Sequence, residues 1–325
     1  MTTARASLFT GVTFAVVATL GWALNFIAPY VTGVYSLYDL MAVRFLMAGG
    51  LGIVWMMVCR AQLSALSTSQ CLLAAALGAL GCLGYGVCIA GGVMFGGPVL
   101  TPAFVGMVPV LLALIGNASH KTLHWRQLVM PLSCLTVGLL LATVSSLHLP
   151  GTGSWLAGLC FSLGAVALWL GFSVINQQQL ARLPASATGL WTALMLVGAG
   201  GAALCLLPWI YALGVFRLPT LGAAWNQAWP LYAWSLGIAV MSTVVGAWAW
   251  NAATQRLPMV LSGQLIALES LFASLLGLGF HRRWPTPMEA VGLAAVLVGV
   301  VMAVRILLAP ATPATPHQTL GEIQP

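Results

Sequence analysis

The fold class this sequence predicts is an all-α polytopic membrane protein: ten transmembrane helices arranged as two inverted five-helix repeats. Three observations predict it. The first is composition. Of 325 residues, 61% are hydrophobic and 5% charged, against about 25% charged in a soluble domain. The second is pattern. Apolar runs of about 20 residues, enough to span a bilayer as a helix, follow one another nearly end to end. A β-barrel would instead show short segments of alternating polarity. The third is repetition. Met107-Val-Pro-Val-Leu-Leu-Ala-Leu-Ile-Gly116 lines up with Leu268-Glu-Ser-Leu-Phe-Ala-Ser-Leu-Leu-Gly277, an offset of 161. At the same offset His120-Lys121 falls on His281-Arg282, and Gly138 on Gly299. A weaker match at an offset of 147 sets Trp22 against Trp169, so the second copy carries the longer internal loop, Gly214 to Trp229.

The runs divide into spans at roughly 8–30, 39–59, 71–94, 98–119, 128–147, 154–175, 187–213, 230–252, 259–280 and 288–308, with boundaries good to a few residues. Spans three and four are separated only by Met94-Phe-Gly-Gly-Pro98, so a single re-entrant hairpin is an alternative there. Residues 1–150 form the first repeat, 151–309 the second and 310–325 a Pro/Thr-rich disordered tail. Five spans per copy is an odd number, which places the copies in opposite orientations across the membrane. With the N-terminus inside, Arg5, Arg60, Lys121, Arg126, Arg182, Arg256 and Arg305 are cytoplasmic, while Arg217, Arg282 and Arg283 are outside. Seven against three puts both termini in the cytoplasm. Arg5 and the apolar run behind it resemble a signal peptide. The run is too long for one, and no small-residue cleavage site follows, so it reads as an uncleaved first span.

The net charge of +7 is mostly this topology signal, and no basic cluster long enough for nucleic acid exists. The seven cysteines, none in a CxxC pair, read as small buried apolar residues. His120 and His124 stand at i,i+4 with no Glu or Cys to complete a zinc site, so no metal or cofactor is expected. Only four acids occur, Asp39, Glu269, Glu289 and Glu322, and no catalytic constellation can be drawn from them. The glycines of Gly78-Ala-Leu-Gly-Cys-Leu-Gly84 sit inside an apolar helix, where they permit close helix contact rather than cradle phosphate. The sequence is not that of an enzyme.

Function therefore rests on polar and aromatic residues inside the spans. Glu269 lies near the middle of span nine, the costliest depth for a carboxylate. Its counterpart in the first copy is Val108, so the architecture does not require it. It is either a contact for a substrate cation or coupled proton, or a neutral hydrogen-bonded acid that stabilises packing. Arg44, early in span two, either clamps a substrate carboxylate or phosphate or extends to the headgroups. Ser36-Leu-Tyr-Asp39 reads as a capping box opening span two, which makes Asp39 a helix cap. Trp22 and Asn25 in span one, Tyr85 in span three, Trp169 in span six, and Trp248, Asn251 and Gln264 in spans eight and nine complete the candidate substrate site. The cavity would lie between spans one, three, four, six, eight and nine. Trp125, Trp225, Trp229 and Trp284 fall at span ends and read as an interfacial aromatic belt. The His-Lys and His-Arg pairs sit at helix C-termini, where the macrodipole favours positive charge.

Four stretches resemble the EamA-type members of the drug/metabolite transporter superfamily. Leu20-Gly-Trp-Ala-Leu-Asn-Phe26 resembles the family's first-helix motif, and Asp39-Leu-Met-Ala-Val-Arg-Phe-Leu46 its second. Val108-Pro-Val-Leu-Leu-Ala-Leu114 resembles the fourth-helix stretch with its proline, and Ile266 to Gly277 the ninth-helix version. The chain departs from that pattern where Ser270 replaces a proline after Glu269. The Gly-Glu step after helices four and nine is also missing. The resemblance implies a secondary exporter or exchanger of small metabolites, often amino acids, in a bacterial inner membrane. It would act by alternating access as a monomer or homodimer, with protons as a candidate coupling ion. A non-transporting assembly or sensory protein would need a soluble domain, and a lipid-modifying enzyme an interfacial His/Asp/Glu cluster. The sequence offers neither.

Overall fold

A computed structural model describes residues 2–89, 91–92, 95, 104–120, 125–144, 155–280, 282 and 284–308. Those residues contain helices and no strand. The helices are α1 (Thr2–Ala23), α2 (Leu37–Val58), α3 (Thr68–Ile89), α4 (Val108–His120), α5 (Trp125–Val144) and α6 (Trp155–Leu180). They continue as α7 (Thr188–Ala212), α8 (Trp225–Thr254), α9 (Met259–Phe280) and α10 (Pro287–Leu308). Seven of them, α1–α3 and α6–α9, are long and apolar enough to cross a membrane. Met94 and Gly96 to Pro98 of the junction between spans three and four, the cations Lys121 and Arg283, and the 310–325 tail lie outside the described residues.

The first span ends earlier than its hydropathy suggests. After Ala23 the backbone tightens into two short 3₁₀ turns, Leu24–Phe26 and Ala28–Tyr30. Pro29 has no N–H to give the ladder and fixes its own φ, so the α-helix does not continue through it. The cysteines also differ from expectation. Five are half-buried, and Cys160 and Cys205 are exposed on the outer surface of the bundle. A lipid-facing position suits a small apolar side chain as well as a core position does.

Two helices carry wide turns. Gly78–Gly84 in α3 and Ala239–Gly246 in α8 are π-helical, each inside an otherwise α-helical rod. Helix α9 is broken at Ile266, between Met259–Leu265 and Ala267–Phe280. These departures let consecutive residues face a neighbour that a regular helix would present one at a time.

Packing relies on small residues. Helices α2 and α7 cross antiparallel with Gly49 against Gly200, where a Cβ added at Gly49 would lie 2.8 Å from the Gly200 Cα. Helices α5 and α10 are also antiparallel. Gly138 abuts Gly292 and Val296, while Gly299 abuts Pro131 and Leu135. Helix α3 lies against α7 through Gly78 and Gly198, and α4 against α9 through Gly116 and Val260. In a bilayer such close approaches supply the dispersion contacts that replace a hydrophobic drive between helices.

Asp39 has a larger role than one cap. Its Oδ2 accepts from the Ser36 N–H at 2.7 Å, and Ser36 Oγ accepts from the Asp39 N–H at 3.1 Å, closing the capping box. Its Oδ1 accepts from the backbone N–H groups of Arg217 and Leu218 at 2.7 and 2.9 Å. Those two open the single helical turn Leu218–Leu221 between α7 and α8. Ser36 Oγ also donates to Val215 O, and the Tyr35 hydroxyl to Gly222 O. One carboxylate thus joins the α1–α2 corner to the α7–α8 loop.

Candidate functional site

The site is assembled where α1 loosens, α8 widens and α9 breaks. Asn25 sits in the first 3₁₀ turn, and its Oδ1 accepts from Arg44 Nη1 of α2 at 2.7 Å. The wide turn of α8 presents Ser242 and Thr243 together. Ser242 Oγ donates to Asn25 Oδ1 at 3.1 Å, and Thr243 Oγ1 accepts from Arg44 Nε at 2.9 Å. Arg44 is 9% exposed, so its guanidinium is held inside the bundle. It also lies over the Phe45 ring, 4.7 Å from the centroid. Removing such a cation from water costs several kcal/mol unless its donors find partners.

Beside this polar group stands an aromatic cluster. Trp22 of α1 meets Trp169 of α6 edge-on and Trp250 of α8 at a tilt, both at 5.2 Å between centroids. Tyr85 of α3 lies 4.8 Å from Trp169, which also contacts Phe172 at 5.2 Å. The Trp169 and Trp250 indole N–H groups and the Ser173 hydroxyl are buried without protein partners. Glu269, in the first turn after the α9 break, lies within electrostatic reach of Tyr85, and Cys82 within reach of Arg44. Cys82 and Tyr85 are one turn apart on α3, so α3 carries the two charged residues' neighbours on adjacent turns.

The structure therefore brings together Trp22, Asn25, Arg44, Tyr85, Trp169 and Glu269. Two other candidates, Trp248 and Asn251, make their contacts elsewhere. Trp248 packs edge-on against Phe14 of α1 at 5.3 Å, and that ring also receives the Arg256 cation. Asn251 is fully buried in a network of its own: its Oδ1 accepts from Asn176 Nδ2 at 2.8 Å, and its Nδ2 donates to Thr192 Oγ1 at 2.9 Å. Trp191 Nε1 donates to Asn176 Oδ1 in the same network. Gln264 is 0% exposed, and neither its amide oxygen nor its nitrogen has a partner. Sequence reasoning missed Ser242, Thr243, Trp250 and Asn176. The signal for the first two is an adjacent polar pair inside an apolar span, which a regular helical wheel would split between faces. Among the described residues no group of three or more His, Cys, Asp or Glu side chains is placed to hold a metal ion.

Comparison with known proteins adds a lineage. Residues 156–305 match the model of the EamA-like transporter family. The inner membrane protein YtfF of Escherichia coli (strain K12) is 29% identical over 311 residues, covering 92% of this chain and 96% of that protein. A solved crystal structure superposes with a TM-score of 0.71 at 19% identity, over 95% of this chain and 99% of the other. That last likeness concerns the fold alone.

Proposed function

We propose that the chain, which is similar to the EamA-like transporter family over residues 156–305 and 29% identical to the inner membrane protein YtfF of Escherichia coli, is a secondary transporter of small metabolites, amino acids among them. It works as an exporter or exchanger by alternating access, in a bacterial inner membrane, with both termini cytoplasmic. Its cavity lies between two inverted five-helix repeats, α1–α5 and α6–α10, and Glu269 is its candidate proton-coupling or cation-binding group.

The observation that carries this reading is reciprocal packing. Gly138 abuts positions 292 and 296, and Gly299 abuts positions 131 and 135. Each pair becomes the other on shifting by the 161-residue offset of the repeat. The two helices run antiparallel, as a two-fold axis in the membrane plane requires of equivalent helices. The wide turns of α3 and α8 start at Gly78 and Ala239, again 161 apart. Such bundles transport by rocking one repeat against the other around a central site.

The test is solute movement in proteoliposomes containing the purified protein, using labelled amino acids, amines and sugar phosphates in turn. Movement of at least one class above empty liposomes is expected. No movement of any class, in either direction and with or without a pH gradient, overturns the reading.

A further inference from the structure

We propose that Arg44 is an anion-binding residue: Asn25 and Thr243 hold its guanidinium so that the remaining N–H fork takes an oxyanion, carboxylate or phosphate, of the transported molecule. The substrate class is thereby narrowed to molecules that carry such a group. This rests on the transporter reading above and deepens it.

The argument is an accounting of donors and charges. A guanidinium has five N–H donors and no acceptor. Arg44 Nε is bonded to Thr243 Oγ1 and one Nη1 donor to Asn25 Oδ1. Both partners are neutral, so they orient the fork without neutralising it. Three donors remain. Of the acids among the described residues, Asp39 is occupied by Ser36, Arg217 and Leu218, and Glu289 bonds the Thr286 N–H. Glu269 neighbours Tyr85 and forms no ion pair with Arg44. Among the described residues, Arg44 is thus a positive charge, nine-tenths buried, with no carboxylate beside it. Buried charges are ordinarily paired. The planar fork matches a carboxylate or phosphate through two parallel hydrogen bonds, which an ammonium cannot reproduce.

The source of the oxyanion, soluble molecule or lipid headgroup, is separated by experiment. Purified protein in phosphatidylcholine nanodiscs is melted with sodium acetate, sodium phosphate or sodium chloride at equal ionic strength, and again in nanodiscs containing phosphatidylglycerol. A ligand that binds only the folded state raises its stability in proportion to occupancy. Acetate or phosphate should raise the melting temperature above chloride in wild type. Apparent affinity should fall at least about ten-fold in Arg44→Gln and be only partly restored in Arg44→Lys, the loss expected for a bidentate charged pair. Asn25→Ala and Thr243→Val, which keep the charge but free the fork, should weaken binding less, and they carry the test if Arg44→Gln does not fold. Stabilisation by phosphatidylglycerol alone, lost in Arg44→Gln, would assign the site to a headgroup and overturn the substrate role. Equal responses of wild type and all variants to every probe overturn the site altogether. Because this readout is binding, its failure beside intact solute movement would leave the transporter reading standing.

Discussion

Replacing Asp39 with alanine should destabilise the protein by about 3–4 kcal/mol, because it removes a cap from two helical segments at once. The components follow from the geometry. Loss of the α2 cap costs about 1 kcal/mol. The Leu218 N–H, on a residue only 8% exposed, would be left without an acceptor, at about 2 kcal/mol. Arg217 is exposed, so water replaces most of its lost bond, leaving about 0.5 kcal/mol. Asp39→Asn keeps one acceptor oxygen but turns an amide donor toward the Ser36 N–H or the loop, and should cost roughly half as much. Equilibrium unfolding in mixed micelles measures both variants, and limited proteolysis of the Val215–Ala224 loop reports the second cap separately. If Asp39→Ala is within about 1 kcal/mol of wild type, or its loop is cleaved no faster, the carboxylate does not cap both elements.

Other outcomes follow from the same structure. Gly138→Leu and Gly299→Leu should each destabilise by about 1–3 kcal/mol through overpacking of α5 on α10. The two effects should match within error; a silent change at either site argues against reciprocal packing. Asn251→Leu removes one buried hydrogen-bond partner each from Asn176 Nδ2 and Thr192 Oγ1 and should cost about 1–2 kcal/mol by the same unfolding assay, whereas a stabilised variant would show the network dispensable. Glu269→Gln should insert and fold normally yet lose transport or its pH dependence, since the amide keeps shape and hydrogen bonding but cannot titrate. Wild-type transport at every pH would leave it a packing role. Reporter fusions after Pro325 and near Arg282 should give opposite readings; matching readings would contradict five spans per repeat.

What the sequence made legible was whatever depends on hydropathy and on short-range chemistry. Long apolar runs located α2, α7 and α10 within a few residues, and the capping box at Ser36 formed as its spacing requires. Trp22, Asn25, Arg44, Tyr85 and Glu269 could be singled out because polar and aromatic groups in an apolar span need a reason. Their assignment to helix faces could not. The i→i+5 turns of α3 and α8 and the break at Ile266 shift the register within a helix, and apolar composition alone carries no mark of them. For that reason Thr243 went unnoticed as the partner of Arg44. Trp248, a candidate from sequence, packs on Phe14, while its neighbour Trp250 is the ring that meets Trp22. The second half of the Asp39 cap was equally hidden, since its partners are backbone groups 178 and 179 residues away.

The wide turns have a consequence for how the aromatic cluster is indexed. A regular α-helix advances about 100° per residue, so a turn that absorbs one extra residue rotates everything beyond it by about that angle relative to an unbroken helix. Tyr85 follows directly on the wide turn of α3, and Trp250 comes four residues after that of α8. If Gly78–Gly84 tightened into regular α-helix with its length unchanged, Tyr85 would swing away from Trp169 by about that angle. The same tightening of Ala239–Gly246 would swing Trp250 away from Trp22. The width of the turn is what those two stretches contribute: each works as a one-residue shim that sets the angle at which a ring enters the bundle.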